Sequence, residues 1–270
     1  MQRYQDKLRT KKRKKVILQF AMFCIAVIIS LVCLVYALFF ARLLDIRTVT
    51  VEGPDGSWAN ISSAVDDWLN TGTRKFKRRN NILFFSSDKL SSQLVEQFPK
   101  LESIKITKKL PHSLIISGNE RGPVGIWCLP AQADLPGRGK CFYFDKNGIA
   151  FNETRPSIGF LILNITDQRS RELKLGDEVV AQDWLSNIIK AKESLVKFDV
   201  NISEFVIPID SFDEFYAKTS EGWKILFSNS TDIEKQTNAL ATFLKEKITP
   251  SQRSNLQYID LRIQDRIYYK

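Results

Sequence analysis

The chain has 270 residues and a formal net charge of +10, a length that allows one or two modest domains plus an anchor. Residues 1–15 hold eight basic side chains against Asp6 alone, a net +7 that leaves only +3 for the rest of the chain. Most of the positive charge therefore lies in a short tail, which argues against the extended basic surface that nucleic-acid binding requires.

An uncharged segment follows the basic tail. No charged residue occurs from Val16 to Ala41, and Gln19 is its one strongly polar side chain. A helix of this length is about 39 Å long, enough to span a hydrocarbon core of about 30 Å. A cleaved signal peptide has a shorter apolar core and ends in small residues. The sequence therefore predicts a cytoplasmic tail at residues 1–15 and a retained transmembrane helix at residues 16–41, oriented by the positive-inside rule.

A second basic cluster comprises Arg74-Lys75-Phe76-Lys77-Arg78-Arg79. Runs of like charge are usually solvated loops or tails, and we expect a loop here. Contact with lipid headgroups or anionic envelope polymers is the alternative for this cluster. In either case it would lie on the far side of the membrane from the amino-terminal tail.

The residues after the anchor predict a small domain at residues 45–121. Period-two alternation of apolar side chains indicates strands, and apolar side chains three or four residues apart indicate helices. Ser57 and Ser87 are expected to cap the two helices, and Gly72 and Pro99 to follow their ends. The predicted order is β-α-α-β-β, with elements at Asp45–Val51, Trp58–Asn70, Asp88–Gln97, Leu101–Lys109 and Ser113–Glu120.

The remaining residues, 122–270, predict a second domain that is rich in strands. The border falls at Arg121-Gly122-Pro123, and Asn147-Gly148 between two apolar runs is a strong hairpin signal. Helices are expected at Asp183–Phe198 and Ile233–Glu246. Strands are expected at Val124–Cys128, Cys141–Asp145, Ile149–Phe151, Gly159–Leu163, Ile202–Ile209, Phe215–Thr219, Lys224–Ser228, Leu256–Ile263 and Arg266–Tyr269. The fold class is α+β, with a mostly antiparallel β domain and two helices after the small domain.

The four cysteines divide by position. Cys24 and Cys33 lie inside the anchor, where a free thiol behaves as a small apolar residue. Cys128 and Cys141 lie in the part expected to be exported, where disulfides persist. They flank a segment rich in proline and glycine, one closing a strand-like run and the other opening the next. We therefore predict a disulfide at the neck of a long hairpin loop, with a loop-closure contribution of about 3 kcal/mol.

No recognisable catalytic or metal-binding set occurs in the sequence. The one histidine, His112, is predicted in a turn, where a structural role is far more common than catalysis. Asp66 and Asp67 are neighbours on a helix, so their side chains point about 100° apart. Asp177 and Glu178 are expected to be solvated loop acids. We predict a protein that is not an enzyme, with no cofactor, metal, nucleic acid or small-molecule substrate.

Asparagines in N-x-[ST] motifs leave a different function open. About two such motifs are expected by chance, and the chain has them at Asn60, Asn152, Asn164, Asn201 and Asn229. This mild excess would suit a type II membrane enzyme of a secretory pathway, such as a glycosyltransferase. The short extracytoplasmic region and the absence of an acidic metal motif argue against that alternative.

Several different short motifs occur along the chain in a particular order and spacing. They are Ile46-x-x-Val49-x-Val51-x-Gly53, Asn81-Ile82 through Leu94, Phe98-Pro99, Ile104-x-Ile106, Leu110-Pro111, Leu114-x-Ile116, Glu120-Arg121-x-Pro123-Val124-x-Ile126-Trp127, Tyr143–Phe151, and Tyr258–Arg262 with Arg266-Ile267-Tyr268. Over nearly the whole chain this order resembles the FtsQ/DivIB family of bitopic bacterial division proteins, with a POTRA domain followed by a β domain. The Cys128–Cys141 loop and the basic cluster at residues 74–79 depart from the family pattern.

The resemblance implies a non-enzymatic scaffold at the division septum of the bacterial cell (inner) membrane. It implies single-pass coiled-coil partners of the FtsB/FtsL (DivIC) type, bound through the β domain and its final strands. A terminal strand is an exposed sheet edge, and aromatic residues favour interface cores. We predict that partner binding is carried by Arg262, Ile263, Arg266, Ile267, Tyr268 and Tyr269.

Two other interpretations remain open at this point. Ile263 and Ile267 would simply fill the hydrophobic core if the final strands are not an interface. A POTRA domain would also suit an envelope assembly protein with another client. Both interpretations keep the same membrane topology and differ in what the extracytoplasmic part binds.

Overall fold

The computed structural model describes residues 2–40, 44–53, 58–70, 80–130, 139–157, 162–169 and 171–270. These residues divide into two compact units. The first comprises Met1–Leu94 and Ile104–Gly118, and the second comprises Val95–Ser103 and Asn119–Lys270. Each unit has its own hydrophobic core.

Helix α1 extends over Gln2–Phe40, so the helix includes the basic tail as well as the apolar segment. Ile17–Tyr36 is long and apolar enough to cross a membrane, and none of it is buried inside the protein. It is the one such segment in the part of the chain that the structure describes. This confirms the coarse prediction of an apolar amino-terminal helix, consistent with a single-pass membrane protein.

The first unit has the predicted order of elements. A three-stranded sheet is arranged β1-β3-β2, with β1 parallel to β3. Apolar side chains at helical spacing, such as Ile61, Val65 and Leu90, Leu94, are buried against it. The elements are β1 (Thr48–Glu52), α2 (Ala59–Asn70), α3 (Ser87–Gln97), β2 (Leu101–Lys109) and β3 (Ser113–Glu120). The last residues of α3 and β3 and the first residues of β2 belong to the second unit.

Of the residues expected at the helix ends, Pro99 follows the end of α3 at Gln97 as predicted. Ser57 and Gly72 lie outside the described residues, as does the basic cluster at residues 74–79. Ser87 is the first residue of α3, and the N–H of Leu90 bonds to the carbonyl of Ser86 at 3.4 Å. The prediction of Ser87 as N-cap was therefore wrong by one residue, because the helical bonds begin one residue earlier.

The second unit contains a nine-stranded sheet ordered β12-β11-β10-β9-β8-β7-β4-β5-β6. Its helices are α4 (Gln182–Lys197), α5 (Ile233–Lys247) and the short α6 (Pro250–Arg253). Its strands are β4 (Gly125–Cys128), β5 (Cys141–Phe144), β6 (Ala150–Thr154), β7 (Leu163–Asp167), β8 (Ile202–Ile207), β9 (Glu214–Thr219), β10 (Lys224–Ser228), β11 (Tyr258–Asp260) and β12 (Tyr268–Tyr269).

This sheet is mixed, but five of its eight neighbouring pairs are antiparallel, which confirms the prediction of a mostly antiparallel domain. The prediction of two helices was wrong, because the described residues of this unit form a third, short one. Three of its neighbouring pairs are parallel, namely β4–β7, β7–β8 and β10–β11. Each parallel pair joins strands separated by other elements in the sequence, and such crossovers leave no local signal. The helix at Pro250–Arg253 was missed because it is a single turn.

Three strand positions also differ from the sequence prediction. The strand expected at Gly159–Leu163 falls mostly on residues outside the described ones, and the observed strand is Leu163–Asp167. The alternation of apolar and polar residues does not extend to the end of this strand, because the buried residue there is Asp167. Its carboxylate forms ion pairs with Arg169 and Arg171. The two final strands are also shorter than the expected Leu256–Ile263 and Arg266–Tyr269.

The core of the second unit lies on one face of the sheet. Successive strand residues point to opposite faces, and the inward set includes Trp127, Phe205, Phe215 and Phe227. Helices α4 and α5 cover this face with residues such as Ile188. The opposite face carries polar residues of the same strands, such as Glu204 and Lys218, together with the buried apolar side chains of Ile126 and Val206.

Candidate partner-binding edge

Strand β12 forms one edge of the nine-stranded sheet and pairs antiparallel with β11. Tyr258 and Lys270 exchange backbone hydrogen bonds, with N–O distances of 3.3 and 3.1 Å. Such pairs alternate with pairs that are not hydrogen-bonded, and Tyr269 faces Ile259 at the next position. The N–H and carbonyl of Tyr269 therefore point away from β11. Among the described residues no strand lies on that side of β12.

The two tyrosines of β12 point to opposite faces of the sheet, because side chains alternate along a strand. The ring of Tyr269 faces α5, where its centroid lies 4.9 Å from that of Phe243. Tyr268 shares the outer face with Asp260. About half of each tyrosine is exposed, 46% for Tyr268 and 55% for Tyr269. Aromatic surface is thus available on both sides of this edge.

A furrow runs along α5 beside β12. It consists of two depressions of about 410 and 440 Å³, which share Ala239 and Ile267. Ile263 lines the first and Phe243 the second. Asp232 fixes the start of α5, because its carboxylate accepts hydrogen bonds from the first backbone N–H groups of the helix. The furrow therefore has a positioned helix as one wall, and its lining combines these apolar side chains with polar ones such as Gln236 and Thr242.

Arg262 holds the turn that leads into this edge. Its guanidinium donates to both carboxylate oxygens of Asp260, at 2.9 and 2.7 Å, and lies 2.8 Å from a carboxylate oxygen of Glu214. The hydrogen bonds to Asp260 raise the pKa of Arg262. Burial opposes ionisation of Asp260, but the bonds from Arg262 outweigh it and lower the pKa of that carboxyl. Both groups are therefore charged at neutral pH.

The same contacts explain why the final strands are short. The backbone N–H of Arg262 bonds to the side chain of Asp260 at 3.0 Å, which takes it out of the strand ladder. A turn follows, in which the N–H of Arg266 bonds to the carbonyl of Ile263 at 3.2 Å and Asp265 has a φ of 60°. Arg266 is thus a turn residue, and the regular strand begins only at Tyr268.

All six residues predicted for partner binding lie in the segment formed by this turn and β12. Ile263, Arg266, Tyr268 and Tyr269 are exposed. Arg262 and Ile267 are half-buried; Arg262 makes the internal ion pairs described above, and Ile267 packs against the core. Sequence reasoning missed the contribution of α5, although its apolar residues Ala239 and Phe243 have helical spacing.

The disulfide lies elsewhere in the sheet. Cys128 and Cys141 face each other on β4 and β5, and their sulfur atoms are 2.03 Å apart. Next to them, a Cβ atom on Gly139 would come within 1.9 Å of the carbonyl oxygen of Leu129, so only glycine fits there. Since β5 is close to the β6 edge, the disulfide is separated from β12 by most of the strands.

The described residues include no group of three or more His, Cys, Asp or Glu side chains that could hold a metal ion. His112 lies in the turn before β3, and its carbonyl accepts hydrogen bonds from the N–H groups of Arg47 and Thr48. Asp177 accepts a hydrogen bond from the backbone N–H of Lys174 at 2.9 Å, within its own loop. These groups therefore have structural contacts. No protein-family model and no curated protein matches this chain.

Proposed function

We propose that this chain is a non-enzymatic, single-pass scaffold of the bacterial division machinery, of the FtsQ/DivIB kind. Its partners are coiled-coil membrane proteins of the FtsB/FtsL (DivIC) type, and it helps to assemble the septal complex for cell-wall synthesis. The observation that carries the proposal is the exposed aromatic edge strand β12, with the outward backbone groups of Tyr269 near the furrow along α5.

The arrangement of the first unit supports the proposal that residues 45–121 form a POTRA domain. Two helices lie between β1 and the β2–β3 pair in sequence, as the family resemblance implies. The sheet order β1-β3-β2 places β1 beside β3. The domain would then be a module that binds other proteins, which agrees with a scaffold function.

Partner binding by this mechanism begins with strand addition. A partner segment pairs with β12 through the N–H and carbonyl of Tyr269, and backbone pairing of this kind provides affinity. Tyr268 and Tyr269 supply rigid aromatic contacts on the two faces of the extended sheet. A helix or turn that continues the partner segment would lie in the furrow along α5, against Ile267.

The anchor completes the proposed function. With the tail in the cytoplasm, both units lie outside the cell membrane, where the extracytoplasmic parts of other single-pass proteins also lie. Confinement to two dimensions raises the effective concentration of such partners. We therefore place the protein at the division septum of the bacterial inner membrane, with assembly as its activity.

Proline at position 269 tests the strand-addition step. Tyr269→Pro removes an N–H that points away from β11, so it blocks partner pairing with little effect on the β11–β12 bonds. We expect affinity-tagged full-length protein, crosslinked in native membranes, to lose a single-pass coiled-coil partner after this change. Tyr269→Phe keeps the ring and the N–H, and serves as the matched control that retains the partner.

Deletion and depletion experiments also test the proposal. Deletion of residues 264–270 should abolish partner capture while leaving the first unit folded, and depletion of the protein should give filaments or chains of cells. Capture of the same partner by wild type, Tyr269→Pro and the deletion variant would refute binding at β12. Normal septation after depletion would refute the division function itself.

A further inference from the structure

Three segments of the first unit meet at one end of its sheet. The chain that enters β1 bonds to the segment before α3, with the N–H of Ile46 2.7 Å from the carbonyl oxygen of Asn80. It also bonds to the β2–β3 turn, with the N–H of Arg47 2.9 Å from the carbonyl oxygen of His112. The residues on these three segments therefore belong to one surface.

That surface carries exposed apolar side chains. In the segment before α3, Ile82 and Phe85 point into the core, whereas Leu83 and Phe84 are 44% and 55% exposed. In the β2–β3 turn, Leu110 is 63% exposed. Apolar groups at the tips of two separate turns do not contribute to the core of this unit. They form what is here called the apolar tip: Leu83, Phe84 and Leu110.

Basic side chains occur on the same segments as the apolar tip. Lys108 donates a hydrogen bond from Nζ to the carbonyl oxygen of Phe85 at 2.6 Å, and Nζ lies 5.6 Å from the centre of the Phe85 ring. Arg47 and Lys109 are exposed on the neighbouring segments. The acids close to the tip in sequence are Asp45, which is half-buried, and Asp88 at the start of α3. Apolar groups flanked by basic ones favour an anionic lipid interface.

The covalent chain places this end of the unit at the membrane. Helix α1 ends at Phe40, and the chain is described again from Leu44, whose carbonyl accepts the N–H of Ile82 at 2.9 Å. Four Cα-to-Cα steps span at most about 15 Å. The tip is therefore held within reach of the headgroup layer for as long as α1 spans the bilayer, because Ile82 directly precedes Leu83 in sequence.

We propose that the apolar tip inserts into the headgroup–acyl boundary of the anchoring bilayer, and that Lys108 and Lys109 contact anionic headgroups. The end of the first unit that carries the apolar tip is then bound to the membrane surface, which restricts rotation of the unit about the anchor. This inference depends on α1 being a retained anchor and does not depend on the division function or on β12.

Spin labels measure this insertion in the full-length protein. Cys24→Ala and Cys33→Ala remove the free thiols and leave the disulfide intact, so one new cysteine accepts the label. The labelled positions are Phe84→Cys and Leu110→Cys, in nanodiscs of mixed phosphatidylglycerol and phosphatidylcholine. Glu52→Cys is the matched control, because Glu52 is exposed at the opposite end of β1. Collisions with oxygen and with a water-soluble nickel chelate report the depth of each label.

We expect the ratio of oxygen to nickel accessibility to be severalfold higher at positions 84 and 110 than at position 52. The ratio should fall when Lys109→Glu is added, or when the discs contain phosphatidylcholine alone. Equal, aqueous ratios at all three positions would overturn the proposal. Protection of position 84 from both reagents would also overturn it, because it would indicate that protein covers the tip. An oxygen-to-nickel accessibility ratio that does not change with lipid charge would refute the role of the basic side chains.

Discussion

At the scale of single residues, the buried carboxylate of Asp145 organises the start of the second unit. One oxygen accepts the backbone N–H groups of Asn147 and Ile149, each at 2.9 Å, and so closes the hairpin turn. The other lies 2.5 Å from the guanidinium of Arg121, which also donates to the carbonyl of Pro99. The Arg121 and Asp145 side chains are only 10% and 4% exposed. Three separate segments therefore depend on one charged pair.

Replacement of Asp145 tests this dependence. Asp145→Asn leaves the buried guanidinium of Arg121 without a counter-charge, and breaking such a pair costs about 3–5 kcal/mol. We expect a loss of this size in the free energy of unfolding, measured by urea titration of the full-length protein in detergent. Lys146→Gln is the control, since its exposed ion pair with Glu102 contributes little. Similar losses for both variants would contradict the assignment.

At the scale of elements, the β4–β5 hairpin shows how far spacing alone predicts structure. Cys128 and Cys141 are opposite each other in the register, so the loop between them is closed at its base. The hydrophobic alternation on either side and the Pro/Gly-rich segment were enough to predict this pairing. The strands at the carboxyl end were harder to predict, because the turn at Arg262 depends on contacts with Asp260 and Glu214.

Loss of the disulfide should lower stability without affecting the opposite edge of the sheet. Paired replacement of Cys128 and Cys141 by serine removes the closure of a loop with a sequence separation of 13, worth about 3 kcal/mol. Urea unfolding measures this loss, and partner capture at β12 should persist. Thiol-specific labelling of the unreduced protein should miss both positions. Ready labelling at both would show that the two thiols are free.

At the scale of the whole molecule, charge and hydrophobicity distinguish the amino-terminal helix from the two compact units. Helix α1 joins eight basic residues in the first 15 positions to an uncharged segment, and the two compact units follow. Ile17–Tyr36 is long and apolar enough to cross a membrane, and Gln19 is its one strongly polar side chain. In the proposed topology, α1 holds the start of the first unit near the bilayer.

The proposed orientation of α1 rests on the same charges. We expect protease added to sealed inside-out vesicles to cut the tail between Lys7 and Lys15 and to leave the two units protected. Right-side-out spheroplasts should give the opposite pattern, and detergent should expose both parts as the control. A tail that is protected in inside-out vesicles would refute the proposed topology.

Local patterns in the sequence were sufficient to predict the apolar helix, the β-α-α-β-β order, the hairpin at Asn147-Gly148 and the pairing of Cys128 with Cys141. Periodicity and turn chemistry act over a few residues, so they can be read along the chain. Tertiary structure alone decided the parallel strand pairs, the position of β12 at an edge beside α5, and the meeting of Leu83, Phe84 and Leu110 at one tip. These features depend on hydrogen bonds between segments far apart in sequence, which leave no periodic signal in either segment.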